Sequence, residues 1–151
     1  MIDKALAAFL QEGIGIQLGT RSASLEPNGV LVPAVKVEDD GTHLVAYVPD
    51  VAMPQVLPDL EANGQAAIVF GRPPDERACQ VKGVFTGTHV PSEAERRFVL
   101  DQWDRWLTRL ETIGYPRVAF AHWITWPCIG VRLRVTALFN QTPGPGAGAA
   151  L

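Results

Sequence analysis

The sequence predicts a mostly β protein, an antiparallel barrel with helices at its edges. Short runs that alternate apolar and polar residues recur along the chain, turn-forming residues separate them at short intervals, and one long segment has helical periodicity. The 151 residues match the size of one domain and are enough to bury a sizeable core. We therefore expect a single domain over residues 1–151, ending in a Pro- and Gly-rich tail at 141–151.

The first third of the chain predicts a short helix followed by three strands. Asp3 is suited to cap the helix, and Gly13 to end it. Residues 26–29 have the composition of a turn, and residues 39–41 that of a hairpin. Pro33 has no amide to donate, so the strand that contains it is expected at an edge or a bulge. The predicted strands are 14–19, 30–37 and 44–48.

The remainder predicts one strong helix placed among four further strands. A short or distorted helix is expected to end before Gly64, because Pro58 would clash inside a longer one. Ser92 and Glu95 have the spacing of a capping box, and a stripe of apolar residues at helical spacing follows them. The predicted strands are 66–70, 79–88, 120–126 and 129–139, the last with odd-numbered residues from 131 to 139 on one face.

Composition narrows the classes of function. Thirteen Lys and Arg against sixteen Asp and Glu give a net charge of −3, which argues against a nucleic-acid partner. The sequence contains no uninterrupted apolar run of roughly 18 residues, so no membrane span is expected. Two cysteines cannot form a disulfide framework and are typical of a reducing compartment. The expectation is a cytoplasmic protein.

The candidates for ligand binding lie on one predicted strand and beside another. Gln80 and Lys82 share a strand face and suit an anionic or carbonyl-rich ligand, although a solvated strand face explains them equally well. Arg72 has the same two interpretations. Gly83 lets either another backbone or a ligand approach closely. No nucleophile elbow is present, and the histidines lack the paired spacing of a metal site; they are His43, His89 and His122.

Two segments near the C-terminus also have two interpretations each. Trp123 and Trp126 either pack in a core or interface, or form a platform for a planar ligand. The tail at 141–151 is either a flexible terminus or a segment that closes a site.

Four segments, taken in order, resemble the pyridoxamine 5′-phosphate oxidase-like family of FMN-binding split barrels. They are LVAYVP at 44–49, VLPDLEANGQAAIVF at 56–70, CQVKG at 79–83 and FNQTPGPGAG at 139–148. The resemblance extends over residues 14–148. It implies a six-stranded antiparallel split β-barrel of Greek-key type with flanking helices. It also implies a homodimer that holds FMN in two grooves between the subunits.

The resemblance further implies an FMN-binding oxidoreductase whose substrate the sequence does not name. Such proteins hold the FMN phosphate with Arg or Lys from the second strand and with a Ser/Thr-Arg-Lys run after the third. Here the run at 49–54 has no cation and contains Asp50. The candidate cofactor contacts are Lys36, Arg72, Gln80 and Lys82. The alternative is a non-catalytic module of the same fold that binds flavin or haem and has a degenerate cofactor site.

Overall fold

The computed structural model describes residues 1–151 and contains seven strands and three α-helices. The strands are β1 (Gly15–Arg21), β2 (Pro27–Leu31), β3 (Ala34–Val37), β4 (His43–Pro49), β5 (Gln65–Arg72), β6 (Arg77–His89) and β7 (Cys128–Asn140). The helices are α1 (Lys4–Leu10), α2 (Met53–Asn63) and α3 (Glu93–Glu111). All paired strands are antiparallel, in the order β2-β1-β5-β6-β7-β4-β3. None of the helices combines the length and the apolar character needed to cross a membrane.

A bend at Val32 and Pro33 joins the two edges of this sheet. β2 pairs with β1 at one edge and β3 pairs with β4 at the other, although the two strands are consecutive in the chain. The Val32 amide still donates to the carbonyl of Ile16 at 3.0 Å, whereas Pro33 has no amide to donate. Counted as one bent strand, β2 and β3 complete a six-stranded split barrel, so the predicted fold class is confirmed.

The core lies inside the barrel, and a smaller apolar cluster lies outside it. The inner core contains 22 buried residues, including Phe9 and Leu10 of α1 and Val56 and Leu60 of α2. The outer cluster joins β3, β4 and β7 to α3. Its buried members are Ala34, Val45, Tyr47, Val99 and Cys128. Helix α3 therefore covers one part of the outer sheet surface.

The turn predicted at residues 26–29 is wrong, because this segment lies in and next to β2. The chain reverses instead at Ser22, whose amide donates to the carbonyl of Glu26 at 2.9 Å, and Leu25 adopts a positive φ of 67°. Pro27 occupies the first position of a strand that pairs on one side only, where its missing amide costs no sheet hydrogen bond.

The strand predicted at residues 120–126 is also wrong. A 3₁₀ helix spans Arg117–Phe120, and the segment after it forms no strand. Its aromatic rings pack against α3: the Phe120 ring centroid lies 5.5 Å from that of Trp106, and the Trp123 centroid lies 6.2 Å from it. The aromatic residues that predicted a strand therefore pack on helix α3 instead.

Helix α2 is longer than predicted, although it ends where expected. It continues for 11 residues through Pro58, its sixth residue, which has no amide to donate to the Pro54 carbonyl. Gly64 ends it with a φ of +68°, and its amide donates to the Leu60 carbonyl at 2.8 Å.

A β-bulge corrects the predicted alternation in β7. Lys82 pairs with Ala137 and Gly83 with Val135, so Thr136 is an extra residue in the strand. The bulge exchanges the two faces, and Leu138 rather than Phe139 becomes buried.

The helix assignment predicts a ranking of stabilities. The Ser92 hydroxyl accepts from the Glu95 amide, so Ser92→Ala should cost about 1 kcal/mol of unfolding free energy. Trp106 is 8% exposed, and Trp106→Ala should cost about 3–5 kcal/mol through the cavity it leaves. Trp103 is only half-buried, so Trp103→Ala should cost less than Trp106→Ala. Urea unfolding measures all three, and equal losses at the two tryptophans would contradict the assigned buried face.

Candidate functional site

A groove of about 550 Å³ lies where β1, β2, β5, β6 and β7 meet. Its lining residues are Gly19, Thr20, Arg21, Pro27, Asn28, Gln65, Ala66, Ala67, Lys82, Gly83, Val84 and Thr136. On β1, β5 and β6, the side chains of Leu18, Ile68 and Val81 are buried in the core. An adjacent residue on each strand, Gly19, Ala67 or Lys82, faces the opposite way and lines the groove. The groove is therefore on the outer face of the barrel, in the part that α3 leaves uncovered.

Small residues form the floor of the groove. Gly19 pairs with Ala67, which in turn pairs with Lys82. A row across three strands therefore contains a glycine, an alanine and one long cationic side chain. The exposed backbone allows a flat ligand to approach closely. No Asp or Glu lines the groove. The surface therefore suits a planar, anionic ligand.

Two cations reach this groove without carboxylate partners. Arg21 donates to the Gln65 side chain at 3.2 Å, and its carbonyl accepts from Asn63 at 2.7 Å, which fixes the end of β1 against α2. The Lys82 ammonium lies 5.1 Å from the centroid of the Phe139 ring. Neither side chain belongs to an ion pair of the structure. Both charges are available to an anion.

Of the four residues suggested by the sequence, only Lys82 lines the groove. Gln80 lies next to it on the outer face of β6, opposite Val69. Arg21 was missed because the predicted strand ended at Gly19. The signal was present in the sequence, since the alternation continues through Thr20, which is buried, to Arg21, which is half-buried.

Arg72 lies outside the groove and is held by two carboxylates. Its guanidinium donates to Glu12 at 2.8 Å and to Asp75 at 3.0 Å. The hydrogen bond from Arg72 is the largest of the effects that lower the pKa of Asp75 to about 2. The same guanidinium lies 5.4 Å from the Phe9 ring centroid, so it ties the β5–β6 loop to α1.

Lys36 lies apart from Lys82: it is on the edge strand β3, whereas Lys82 is on the central strand β6. It borders a surface pocket of about 380 Å³ together with Glu38, Asp39 and Asp40. Three carboxylates beside one ammonium make this pocket a poor place for a phosphate.

The structure explains Gly83 by packing against another strand. A Cβ atom at this position would lie 3.0 Å from the Arg134 carbonyl oxygen and 3.2 Å from the Leu133 Cβ. The glycine therefore permits the close approach of β7, which was one of its two interpretations.

Glu38, Asp40 and His43 place metal-ligating atoms within 4.8 Å of one another. Arg132, however, binds both carboxylate oxygens of Glu38 at 2.7 Å, and this hydrogen bonding lowers the pKa of Glu38. His43 bonds to Asp40 at 2.6 Å. The cluster is thus satisfied by partners within the chain.

A second polar cluster lies over Gly130 and beneath the start of α3. Tyr47 on β4 and His89 on β6 both pair with Gly130 of β7, so their side chains converge from either side. Tyr47 donates to Glu95 Oε1 at 2.9 Å, and His89 Nε2 lies 2.7 Å from the same oxygen. A Cβ on Gly130 would lie 2.3 Å from the His89 ring, so the glycine makes room for it.

Glu95 is the ionised centre of this cluster. Burial raises its pKa, but hydrogen bonds from the Ser92 amide, His89 and Tyr47 outweigh that effect and lower the pKa to about 2. Because a carboxylate only accepts, His89 Nε2 carries the proton that it shares with Glu95. Burial, reinforced by Glu95, raises the pKa of Tyr47 well above its ordinary value. The cluster docks the helix onto the sheet, and neither pocket described above reaches it.

Comparisons with solved structures give the fold. An F420 reductase superposes with a TM-score of 0.62 at 16% identity, covering 91% of this chain and 98% of its own. An FMN-binding protein of Syntrophomonas wolfei gives 0.57 at 12%, covering 91% and 86%. HutZ, the haem storage protein of Vibrio cholerae, gives 0.51 at 15%, covering 92% and 94%.

The chain has the split-barrel fold of these proteins. Solved structures described as pyridoxamine 5′-phosphate oxidase-related share it, so the resemblance to that family is confirmed at the level of the fold. No protein-family model matches the sequence, and no curated protein matches it.

The Glu95 cluster predicts a specific acid sensitivity. An unfolded Glu has a pKa of about 4.3, so a folded pKa near 2 stabilises the protein above about pH 5. That stabilisation should be lost as the pH falls from 5 towards 2, and Glu95→Gln should lack this part of the pH dependence. Thermal melting from pH 7 to 2 measures it, with Glu93→Gln at an exposed position as the control. Parallel melting curves for Glu95→Gln and the wild type would contradict the assignment.

Proposed function

We propose that this chain is an FMN-binding oxidoreductase of the split-barrel type that uses the groove around Lys82. The observation that carries the proposal is a groove floored by small residues, with two unpaired cations and no carboxylate. The fold is shared with an FMN-binding protein, which supports the choice of cofactor. The substrate is unassigned.

The lining residues fit a planar anionic cofactor. Lys82 and Arg21 would hold the phosphate with charge-assisted hydrogen bonds, and Gly19 and Ala67 leave space for a flat ring against the sheet. No His, Asp or Glu lines the groove, so the chain's own contribution is to bind and to orient. A bound flavin would supply the redox chemistry.

A non-catalytic module that binds flavin or haem is the second candidate. Two observations favour it. The groove has no His, Asp or Glu, and the segment after β4, Asp50–Ala52, has an acid where the resemblance leads one to expect cations. The likeness to a haem storage protein adds haem to the ligands to be tested.

We further propose that the protein is a cytoplasmic homodimer. Apolar side chains remain exposed on the single chain, and a second subunit would bury part of them. They include Val69 at 39%, Trp123 at 45% and Ile124 at 55% exposure. Both cysteines are buried and free, which is consistent with a reducing compartment.

Calorimetric titration with FMN tests the groove. The wild type should bind, and Lys82→Ala should weaken binding roughly ten- to a hundredfold, since a charge-assisted contact contributes about 1.5–3 kcal/mol. Arg21→Ala should weaken binding similarly. Lys36→Ala is the matched control, an exposed lysine outside the groove, and should bind FMN like the wild type. The melting temperature of ligand-free Lys82→Ala should stay close to that of the wild type.

The outcomes separate the proposals. Flavin absorbance in the purified protein supports the first candidate. Absence of heat at millimolar FMN, together with a Soret shift on adding haem, replaces it with the haem-binding module. Equal FMN affinity in the wild type and Lys82→Ala would contradict the assignment of the groove as the FMN site, but it would still support FMN binding by the protein.

The dimer has its own test. Light scattering at micromolar concentration should give twice the chain mass of 16.4 kDa. A mass equal to one chain under those conditions would contradict the dimer.

A further inference from the structure

The last part of β7 has an edge that no other strand of the sheet covers. β4 pairs with β7 from Cys128 to Arg134, and the amide of Val135 then donates to the Thr42 carbonyl at 2.8 Å. Residues 137–140 pair with β6 on one side, and no other strand of the sheet pairs with residues 136–140 on the other side. An open edge of this kind exposes amides and carbonyls that can pair with a strand of another molecule.

The C-terminal tail occupies this edge. The amide of Leu151 donates to the Leu138 carbonyl at 3.0 Å, and the amide of Asn140 donates to the Ala149 carbonyl at 2.8 Å. These two bonds flank an antiparallel bridge between Phe139 and Ala150. Residues 142–151, here called the strap, therefore fold back and end as a very short edge strand.

Asn140 holds the strap through both its backbone and its side chain. Its carbonyl accepts from the Gly148 amide at 2.7 Å. Its side-chain Nδ2 donates to the Gly146 carbonyl at 3.1 Å, and its Oδ1 accepts from the Thr142 amide at 3.0 Å. With the bond to Ala149, all four polar groups of Asn140 engage the strap. The structure therefore folds the strap back onto β7, where these hydrogen bonds hold it.

The covered segment lacks the usual protection of an edge strand. Residues 136–140 read Thr-Ala-Leu-Phe-Asn and contain neither a charge nor a proline, the residues that keep natural edges from pairing. Residues 143–151 are exposed, so hydrogen bonds rather than apolar burial hold the strap in place. The strap therefore occupies the hydrogen-bonding groups of the edge, and another strand that offered the same hydrogen bonds could displace it.

We infer that the strap is an edge guard that prevents residues 136–140 from pairing with the same edge of a second copy of this chain. An antiparallel edge is self-complementary under a two-fold axis, so the identical segment is the partner that fits it. This contact adjoins the proposed cofactor groove at Thr136, but it does not depend on the proposed function.

Sedimentation velocity over a wide concentration range tests the guard. Full-length Asn140→Ala loses both side-chain bonds to the strap, and a chain lacking residues 143–151 loses the cover itself. Both should form species larger than the wild type, the truncated chain more strongly. Pro145→Ala, at a strap position that makes no hydrogen bond, is the matched control and should sediment like the wild type.

A charged substitution on the edge tests whether the larger species form through residues 136–140. Thr136→Lys in the truncated chain places a charged side chain on the open edge, which disfavours pairing with another strand, and it should restore the sedimentation of the wild type. Circular dichroism melting checks that each variant is folded. The inference is overturned if the folded truncated chain and Asn140→Ala both sediment like the wild type, or if Thr136→Lys leaves the larger species unchanged.

Discussion

The bend at Val32 and Pro33 is the constraint on which the rest of this structure depends. It makes one chain segment serve both edges of the sheet, pairing with β1 before the bend and with β4 after it. The sheet can then enclose the inner core, and every strand acquires an inner and an outer face. Closure is thus the reason that Gly19, Ala67 and Lys82 share one outward row.

The outer face is divided into a covered part and an open part. Helix α3 covers β3, β4 and β7, and the ionised Glu95 anchors the start of the helix to Tyr47 and His89. The surface around Gly19, Ala67 and Lys82 lies outside the part that α3 covers, and the groove lies there. The two unpaired cations lie on the open part, where a ligand can reach them.

The distribution of partners decides which cations remain available. Arg72, Arg132 and Arg117 each bind one or two carboxylates, and these pairs tie loops, strands and helices together. Lys82 and Arg21 have no such partner, although nothing in their immediate sequence distinguishes them from the paired residues. The proposed function therefore depends less on the number of cations in the chain than on the two in the groove that the fold leaves without a carboxylate partner.

The sequence by itself determined the features that depend on neighbouring residues. The caps of α1 and α3, the end of α2 at Gly64, the hairpin before β4 and most of the strands follow from local periodicity and capping chemistry. The resemblance along residues 14–148 added the split barrel, which the structure confirms. Lys82 was identified as a candidate because residues two apart share a strand face.

Only the tertiary structure decided the remainder, because those features depend on residues distant in the chain. Arg72 was placed away from the groove by Glu12, which lies sixty positions earlier. The aromatic segment after α3 packs on that helix rather than in the sheet, and the bulge at Thr136 exchanges the faces of β7 through its pairing with β6. The strap has an open edge to cover because β4 begins at His43, opposite Arg134, and leaves the last part of β7 without a partner on that side. The point at which one strand begins opposite another has no local signature in the sequence.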